Sequence, residues 1–414
     1  MTASQIIFII IVAILVIHFL FESWLEYLNL KNLSEKLPSE LSDIYDSAKH
    51  RQSQQYEKGN IRFGFTVSTA NLIIILLMLF WDGFAYVDRL AASCSTHYIL
   101  QPIIFFAILG VALQLLNTPF SVYHTFVLEK KYGFSTTTPQ LYITDTIKNL
   151  LLTAIIGGGI LALVVWFYHL TTDWFWVWTW ILMTVFSLFM AAFYSSLIVP
   201  LFNKQTPLED GELKTAIMQQ ADAAGFQLDR IYTIDGSKRS TKANAYFTGM
   251  GRKKRIVLYD TLIKELSVDE IAAVLLHEIG HYRKKHIVTS MILSVIQSGV
   301  MLYIFSLCVS QHVLSQSLGV NVAGFHIGLI AFGILYTPIS IFTGLGMNVL
   351  SRKHEYQADA FAGRFGKADA LIGALKKLSH NNLSNLTPHP FHVFFHYSHP
   401  TLLLRIQKLK GSYS

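Results

Sequence analysis

The chain has 414 residues, 52% of them apolar and only 14% charged, and it carries a net charge of +7. This balance excludes an ordinary soluble globular protein and predicts a polytopic membrane protein. It also argues against nucleic acid as a partner. The basic clusters Arg252 to Arg255 and Arg283 to Lys285 adjoin apolar runs, where they can meet anionic lipid headgroups instead.

Apolar stretches at residues 5–25, 64–86, 99–121, 149–169, 174–199, 287–309 and 324–349 each approach the ~20 residues needed to cross the hydrocarbon core. They predict seven transmembrane helices. The first 30 residues hold no Lys or Arg, and no small-residue cleavage site follows the first stretch, so it reads as a retained span. Residues 28–62 are charged and should be helical in part. The fourth and fifth stretches are split only by His169 to Asp173, which predicts a tight helical hairpin. Of the 33 Lys and Arg, all but Arg89 fall on alternate connections, the pattern of positive-inside orientation. The N-terminus is therefore expected outside, with the catalytic segment and C-terminal tail in the cytoplasm. Cys94 and Cys308 both map near the outer face, where two free or buried thiols are expected and a disulfide is the alternative.

Residues 200–286 form the first long polar segment. An amphipathic helix is followed by two strand patterns, Asp229 to Asp235 and Arg252 to Asp260, which flank Asn244-Ala245-Tyr246-Phe247-Thr248-Gly249. Next comes His277-Glu278-Ile279-Gly280-His281, an H-E-x-x-H motif in a helix opened by a capping-box pattern at Ser267 and Glu270. Residues i and i+4 share a helix face, so both imidazoles can reach one zinc ion. Glu278 beside them suits the base that takes a proton from an attacking water. With no Pro or Gly pair at His286 to Val288, this helix is expected to run unbroken into the sixth span, which sets the zinc at the cytoplasmic surface of the membrane.

Two histidines leave a catalytic zinc one protein ligand short. The best candidate is Glu355, directly after the seventh span and on the same side as the histidines; Glu265 and Asp269 lack a helix that folds back onto the site. Asp359, one turn beyond Glu355, could accept from the other nitrogen of a ligand histidine. The expected fold is thus an all-α polytopic membrane protein carrying a small α+β, gluzincin-like zinc peptidase domain. Its parts are residues 1–199 for five spans, 200–286 for the catalytic segment, 287–349 for the last two spans and 350–414 for the tail. One zinc per chain is expected.

The sequence resembles the integral-membrane zinc peptidases of the CaaX prenyl protease type 1 family over nearly its whole length. The resemblance rests on E-K-K-Y-G-F-S at 129–135, P-L-F-N-K-Q-T-P-L at 200–208, N-A-Y-F-T-G at 244–249, H-E-I-G-H at 277–281, E-Y-Q-A-D at 355–359 and Y-S-H-P-T-L-L at 397–403. It implies that His277, His281 and Glu355 bind zinc and that Glu278 is the general base. It further implies that Asn244 and His399 hold substrate or the tetrahedral intermediate, that Arg405 supports the site, and that the spans enclose a water-filled chamber. Asn244, Ala245, Tyr246 and Phe247, next to a strand pattern, could offer an edge to an extended peptide. Leu404 stands where the family usually has Glu, which removes the expected local partner of Arg405. His380, His389, His392 and His396 are read as surface or packing residues.

Gln114, Asn117, Ser290, Ser294, Gln297, Ser298, Thr337, Ser340, Thr343 and Asn348 are polar positions within spans. They fit either a wet chamber or hydrogen bonds between helices. The expected activity is zinc-dependent endoproteolysis near the C-terminus of peptide or protein substrates, prenylated or otherwise membrane-associated. Membrane lipid is the other partner. The alternatives are a quality-control metalloprotease of membrane proteins, a seven-span metal-binding transporter or receptor, and an inactive scaffold. A bacterial inner membrane is favoured as location, with the endoplasmic reticulum if the source is eukaryotic.

Overall fold

The computed structural model describes residues 1–33, 37, 41–228, 230–248 and 255–413. The longer helices described in the first half of the chain are α1 (Ala3–Asn32), α2 (Ser47–Phe80), α3 (Gly83–Cys94), α4 (Leu100–Tyr123), α5 (Pro139–Leu152), α6 (Gly158–Thr171) and α7 (Phe175–Leu197). A π-helical turn, Thr153–Gly157, joins α5 to α6. Among the described residues, five helical stretches are long and apolar enough to cross a membrane, or six if one bent pair counts as a span. The stretch Pro139–Phe202 contains α5, α6 and α7, and the expected hairpin turn falls at Thr172–Trp174. Side chains such as Phe342, Ile155 and Leu115 are more than two-thirds exposed, a surface suited to lipid rather than water.

Two expected spans differ in detail. The second stops at Phe80, and Asp82 in the left-handed region redirects the chain into α3. The seventh is two helices, α11 (Phe325–Leu335) and α12 (Thr337–Arg364), bent by 57°. Pro338, in the first turn of α12, has no N–H to continue the preceding helix, and its ring would clash with the turn before it. The boundary drawn at residue 349 falls inside α12, which runs without interruption from the apolar layer through Glu355 and Asp359.

The polar segment folds around a four-stranded sheet of β1 (Gln205–Pro207), β2 (Arg230–Ile234), β3 (Ala245–Thr248) and β4 (Arg255–Tyr259) in the order β1-β2-β4-β3. The two expected strands, β2 and β4, pair in parallel at the centre, while β3 pairs antiparallel to β4 and forms one edge. Sharing a core with the sheet are α8 (Glu212–Ala223), α9 (Val268–Arg283), α13 (Ala368–Asn381) and α15 (Leu402–Tyr413). Ile217, Ile256, Leu276, Ile279, Leu371, Ile406 and Leu409 meet in one buried core. Each such side chain contributes roughly 1.5–3 kcal/mol on burial.

A correction concerns the helix after the H-E-x-x-H motif. It does not run on: α9 ends at Arg283, Lys285 adopts φ +58°, and α10 (His286–Cys308) starts after that break. A left-handed conformation is disfavoured for lysine, so tertiary contacts rather than local propensity set this break.

Residues of α1, α2, α4, α11 and α14 (Pro390–His396) line a cavity of about 1060 Å³, apolar along Leu72, Leu109 and Ile334 and acidic at Glu22, Glu26 and Glu57. Asn117 faces it, whereas Gln297 donates to Thr343 Oγ1 at 2.9 Å and Asn348 to the Phe395 carbonyl at 2.7 Å. Both cysteines are free thiols.

Candidate active site

The capping box forms as its residue types predict. Ser267 Oγ accepts from the Glu270 N–H, and Glu270 Oε2 accepts from the Ser267 N–H at 2.7 Å. Glu270 also accepts from Lys377 of α13 at 2.7 Å. Burial pushes the Glu270 pKa up, but the Lys377 ammonium and the Ser267 cap outweigh it and hold the carboxyl below its usual range.

Gly280 lets α12 lie against α9. A Cβ at this position would stand 3.0 Å from Ala358 Cα and 3.0 Å from Phe361 Cβ. That close approach carries Glu355 to the histidines. His277 Nε2 and His281 Nε2 face each other at 3.2 Å, Glu355 Oε1 lies 3.1 Å from His281 Nε2, and Glu355 Oε2 lies 3.5 Å from His277 Nε2. One ligand atom from each residue falls within a 4.8 Å cluster.

These residues fit a divalent cation. Two imidazole nitrogens and a carboxylate oxygen form the three-ligand set of a catalytic zinc, and two bare ring nitrogens at 3.2 Å repel unless a cation or proton lies between them. Glu355 is 3% exposed, and its Oε2 makes no hydrogen bond even though His399 Nδ1 comes within 2.9 Å. Burial works against a charged His277 ring, but the Asp359 and Glu355 carboxylates lift its pKa to about 9. A proton and a metal are alternative occupants of that lone pair.

Asp359 accepts from His277 Nδ1 at 2.8 Å, so in the neutral ring, the form that binds a metal, the nitrogen facing Glu355 is the bare one. Arg405 in turn grips Asp359 through Nε at 2.9 Å and Nη2 at 2.6 Å. The arginine that lacks an acidic neighbour in sequence finds its partner across the fold. Glu278 is half-buried and shares a small cleft with Ala245 and Tyr246 of β3. Phe247 follows on the same strand. Asn244, just before β3, uses Oδ1 to accept from the Ala245 N–H, which leaves its amide donors for a ligand. His399 is 62% exposed on its side chain and touches Glu355 from the open side.

Of the residues read as packing, His392 meets Glu26 at 3.3 Å and His396 meets Glu22 at 3.1 Å, which ties α14 to α1. Two contacts were not anticipated. His286 Nδ1 lies 3.1 Å from His281 Nδ1, and Gln357 Oε1 lies 2.7 Å from His286 Nε2. The signal was a histidine five residues after the motif, hidden by the expectation of a continuous helix. Arg239 pairs in bidentate fashion with Asp145, at 2.7 and 2.9 Å, and so fastens the strand segment to α5.

The description "CAAX prenyl protease N-terminal, five membrane helices" matches residues 26–204, and "Peptidase family M48" matches residues 207–412. The chain is 38% identical to CAAX prenyl protease 1 of Saccharomyces cerevisiae, over 94% of this chain and 92% of that protein. It is 34% identical to the CAAX prenyl protease 1 homolog of Arabidopsis thaliana, over 97% of each. The human homolog is 33% identical over 90% of this chain and 88% of its own. The crystal structure of S. mikatae Ste24p superposes with a TM-score of 0.91 at 38% identity, covering 97% of this chain and 98% of that one. The chain belongs to the CAAX prenyl protease 1 family and is a multi-pass membrane metallopeptidase of peptidase family M48.

Proposed function

We propose that the protein is a zinc endopeptidase that cuts near the C-terminus of prenylated or otherwise membrane-associated proteins, with His277, His281 and Glu355 as ligands. The observation that carries this reading is the convergence of those three side chains within 4.8 Å, beside Glu278 and the edge strand β3. Zinc, when bound, supplies Lewis acidity toward the scissile carbonyl and acidifies a water. Glu278 takes the proton of the attacking water and returns it to the leaving amine. Asn244 and His399 donate to the developing oxyanion, and Asn244, Ala245, Tyr246 and Phe247 align the peptide as an added strand. Asp359 and Arg405 keep His277 in its binding tautomer.

The architecture in this reading is seven crossings, counting Pro139–Phe202 as two. Residues 1–199 hold five of them, and residues 200–286 form a gluzincin-like catalytic segment. The last two lie within residues 287–349, and the tail from 350 completes the site. The alternating Lys and Arg support an external N-terminus with the catalytic segment and tail in the cytoplasm. The eukaryotic relatives named above favour the endoplasmic reticulum over the bacterial inner membrane. Purified Glu278→Gln should retain zinc and lose cleavage by roughly 10²–10⁴-fold. Cleavage at the wild-type rate would remove Glu278 from the mechanism. Comparing a prenylated peptide with its unprenylated form separates this reading from membrane-protein quality control, which predicts equal rates.

A further inference from the structure

We infer that His286 and Gln357 act as positioning residues that fix the zinc-binding tautomer of His281, as Asp359 does for His277. The inference rests on the metal-site reading above and begins with the break after α9. In an uninterrupted helix, side chains five residues apart are rotated by about 140° and cannot face each other. The left-handed Lys285, φ +58°, turns α10 so that His286 Nδ1 comes to 3.1 Å from His281 Nδ1. A disfavoured backbone conformation at a non-glycine residue thus coincides with a contact on a ligand.

The protons along this chain follow from its far end. Gln357 Oε1 is a carbonyl oxygen and can only accept, so His286 Nε2, 2.7 Å away, carries the hydrogen. A neutral imidazole protonated at Nε2 presents a bare Nδ1. At 3.1 Å the facing His281 Nδ1 must therefore donate, which leaves His281 Nε2 bare. That atom lies 3.2 Å from His277 Nε2 and 3.1 Å from Glu355 Oε1, at the point where the ligands converge. The His354 ring stacks on His286 with centroids 4.0 Å apart and planes 8° from parallel, so His286 has little freedom to rotate out of line. Gln357 lies between Glu355 and Asp359 in sequence, so α12 supplies a ligand and the supports of both histidines.

The test asks whether position 357 must accept a hydrogen bond. Full-length protein in detergent is stripped of metal, and its zinc affinity is measured by competition with a chromophoric chelator. The visible spectrum of the cobalt-loaded form reports the ligand set. Gln357→Glu keeps an acceptor and should bind within about twofold of wild type. Gln357→Lys offers a donor and forces the opposite tautomer, and His286→Phe keeps the stack but removes the chain. Both should bind roughly 10–100-fold more weakly, the scale seen when the partner of a ligating histidine is lost, with an altered cobalt spectrum. Thermal unfolding of the metal-free variants separates affinity from folding. Equal affinity of Gln357→Glu and Gln357→Lys, or wild-type affinity of His286→Phe, would overturn the inference. A wild-type protein that binds no zinc would instead overturn the metal-site reading beneath it.

Discussion

Replacing Gly280 by alanine tests whether helix contact sets the geometry of the ligand cluster. The added Cβ would stand 3.0 Å from Ala358 Cα, 3.0 Å from Phe361 Cβ and 3.2 Å from the Ala358 carbonyl oxygen. Carbon atoms prefer separations of about 3.5–4.0 Å, so α12 must retreat by a few tenths of an ångström, because two of the obstructing atoms are backbone and cannot swing aside. Glu355 lies one turn before Ala358 and moves with it. A zinc–carboxylate bond of ~2.0–2.2 Å tolerates only about ±0.2 Å, so a shift of this size reaches or exceeds the allowance. Two terms oppose each other in stability. Alanine improves helix propensity by about 1 kcal/mol, and overpacking costs about 1–3 kcal/mol, so the net effect is a loss of up to ~2 kcal/mol. Metal affinity has no such offset and should fall roughly 10–100-fold, equivalent to about 1.4–2.8 kcal/mol. Chelator competition reads the affinity, and thermal unfolding of the stripped protein reads the stability. Gly344→Ala, on the same helix with nothing within 4 Å of the new Cβ, is the control and should leave zinc binding unchanged. Wild-type zinc affinity in Gly280→Ala would show that the packing argument is wrong.

Arg405→Lys keeps the charge but loses the fork that grips both Asp359 oxygens. It should cost about 1.5–3 kcal/mol in unfolding experiments and weaken zinc binding, and an unchanged protein would deny Arg405 its supporting role. Glu270 titrates below its unfolded value because Lys377 and the Ser267 cap outweigh burial, so its contribution is full above the usual glutamate pKa, ~4.3, and is lost as pH falls through the depressed one. Gln at 270 preserves the capping box without the charge. The stability advantage of wild type over Glu270→Gln, about 1 kcal/mol or less because Lys377 is half exposed, should therefore be present at pH 7 and shrink below about pH 4. A difference that stays constant with pH would refute the assignment.

Much of the site was legible because its chemistry is local. His277, Glu278 and His281 declare themselves by helical spacing, and Glu355 and Asp359 share one face of α12 at i and i+4. The spans were legible because hydrocarbon demands long apolar runs. What escaped depends on tertiary contacts. Lys285 carries no propensity for a left-handed turn, so the break that aims His286 leaves no mark in the sequence. Gln357 sits two residues from Glu355, on a face that helical periodicity sets apart from the ligand. Arg405 follows Leu404 rather than an acid, and its partner lies 46 residues away in sequence, on another helix. The parallel pairing of β2 with β4 was equally hidden, since parallel neighbours require a crossover that strand patterns alone do not reveal.

The placement of β3 on the rim of the sheet bears on tolerance of cut sites. A guest chain zipped onto that rim would be held through its peptide groups, which every amino acid shares, so many side chains could be accommodated. Slippage along the rim by one position would invert which side chains face Glu278, whereas slippage by two would restore them. Alternative scissions in a given target should therefore be spaced in steps of two residues, a rhythm set by the pleat.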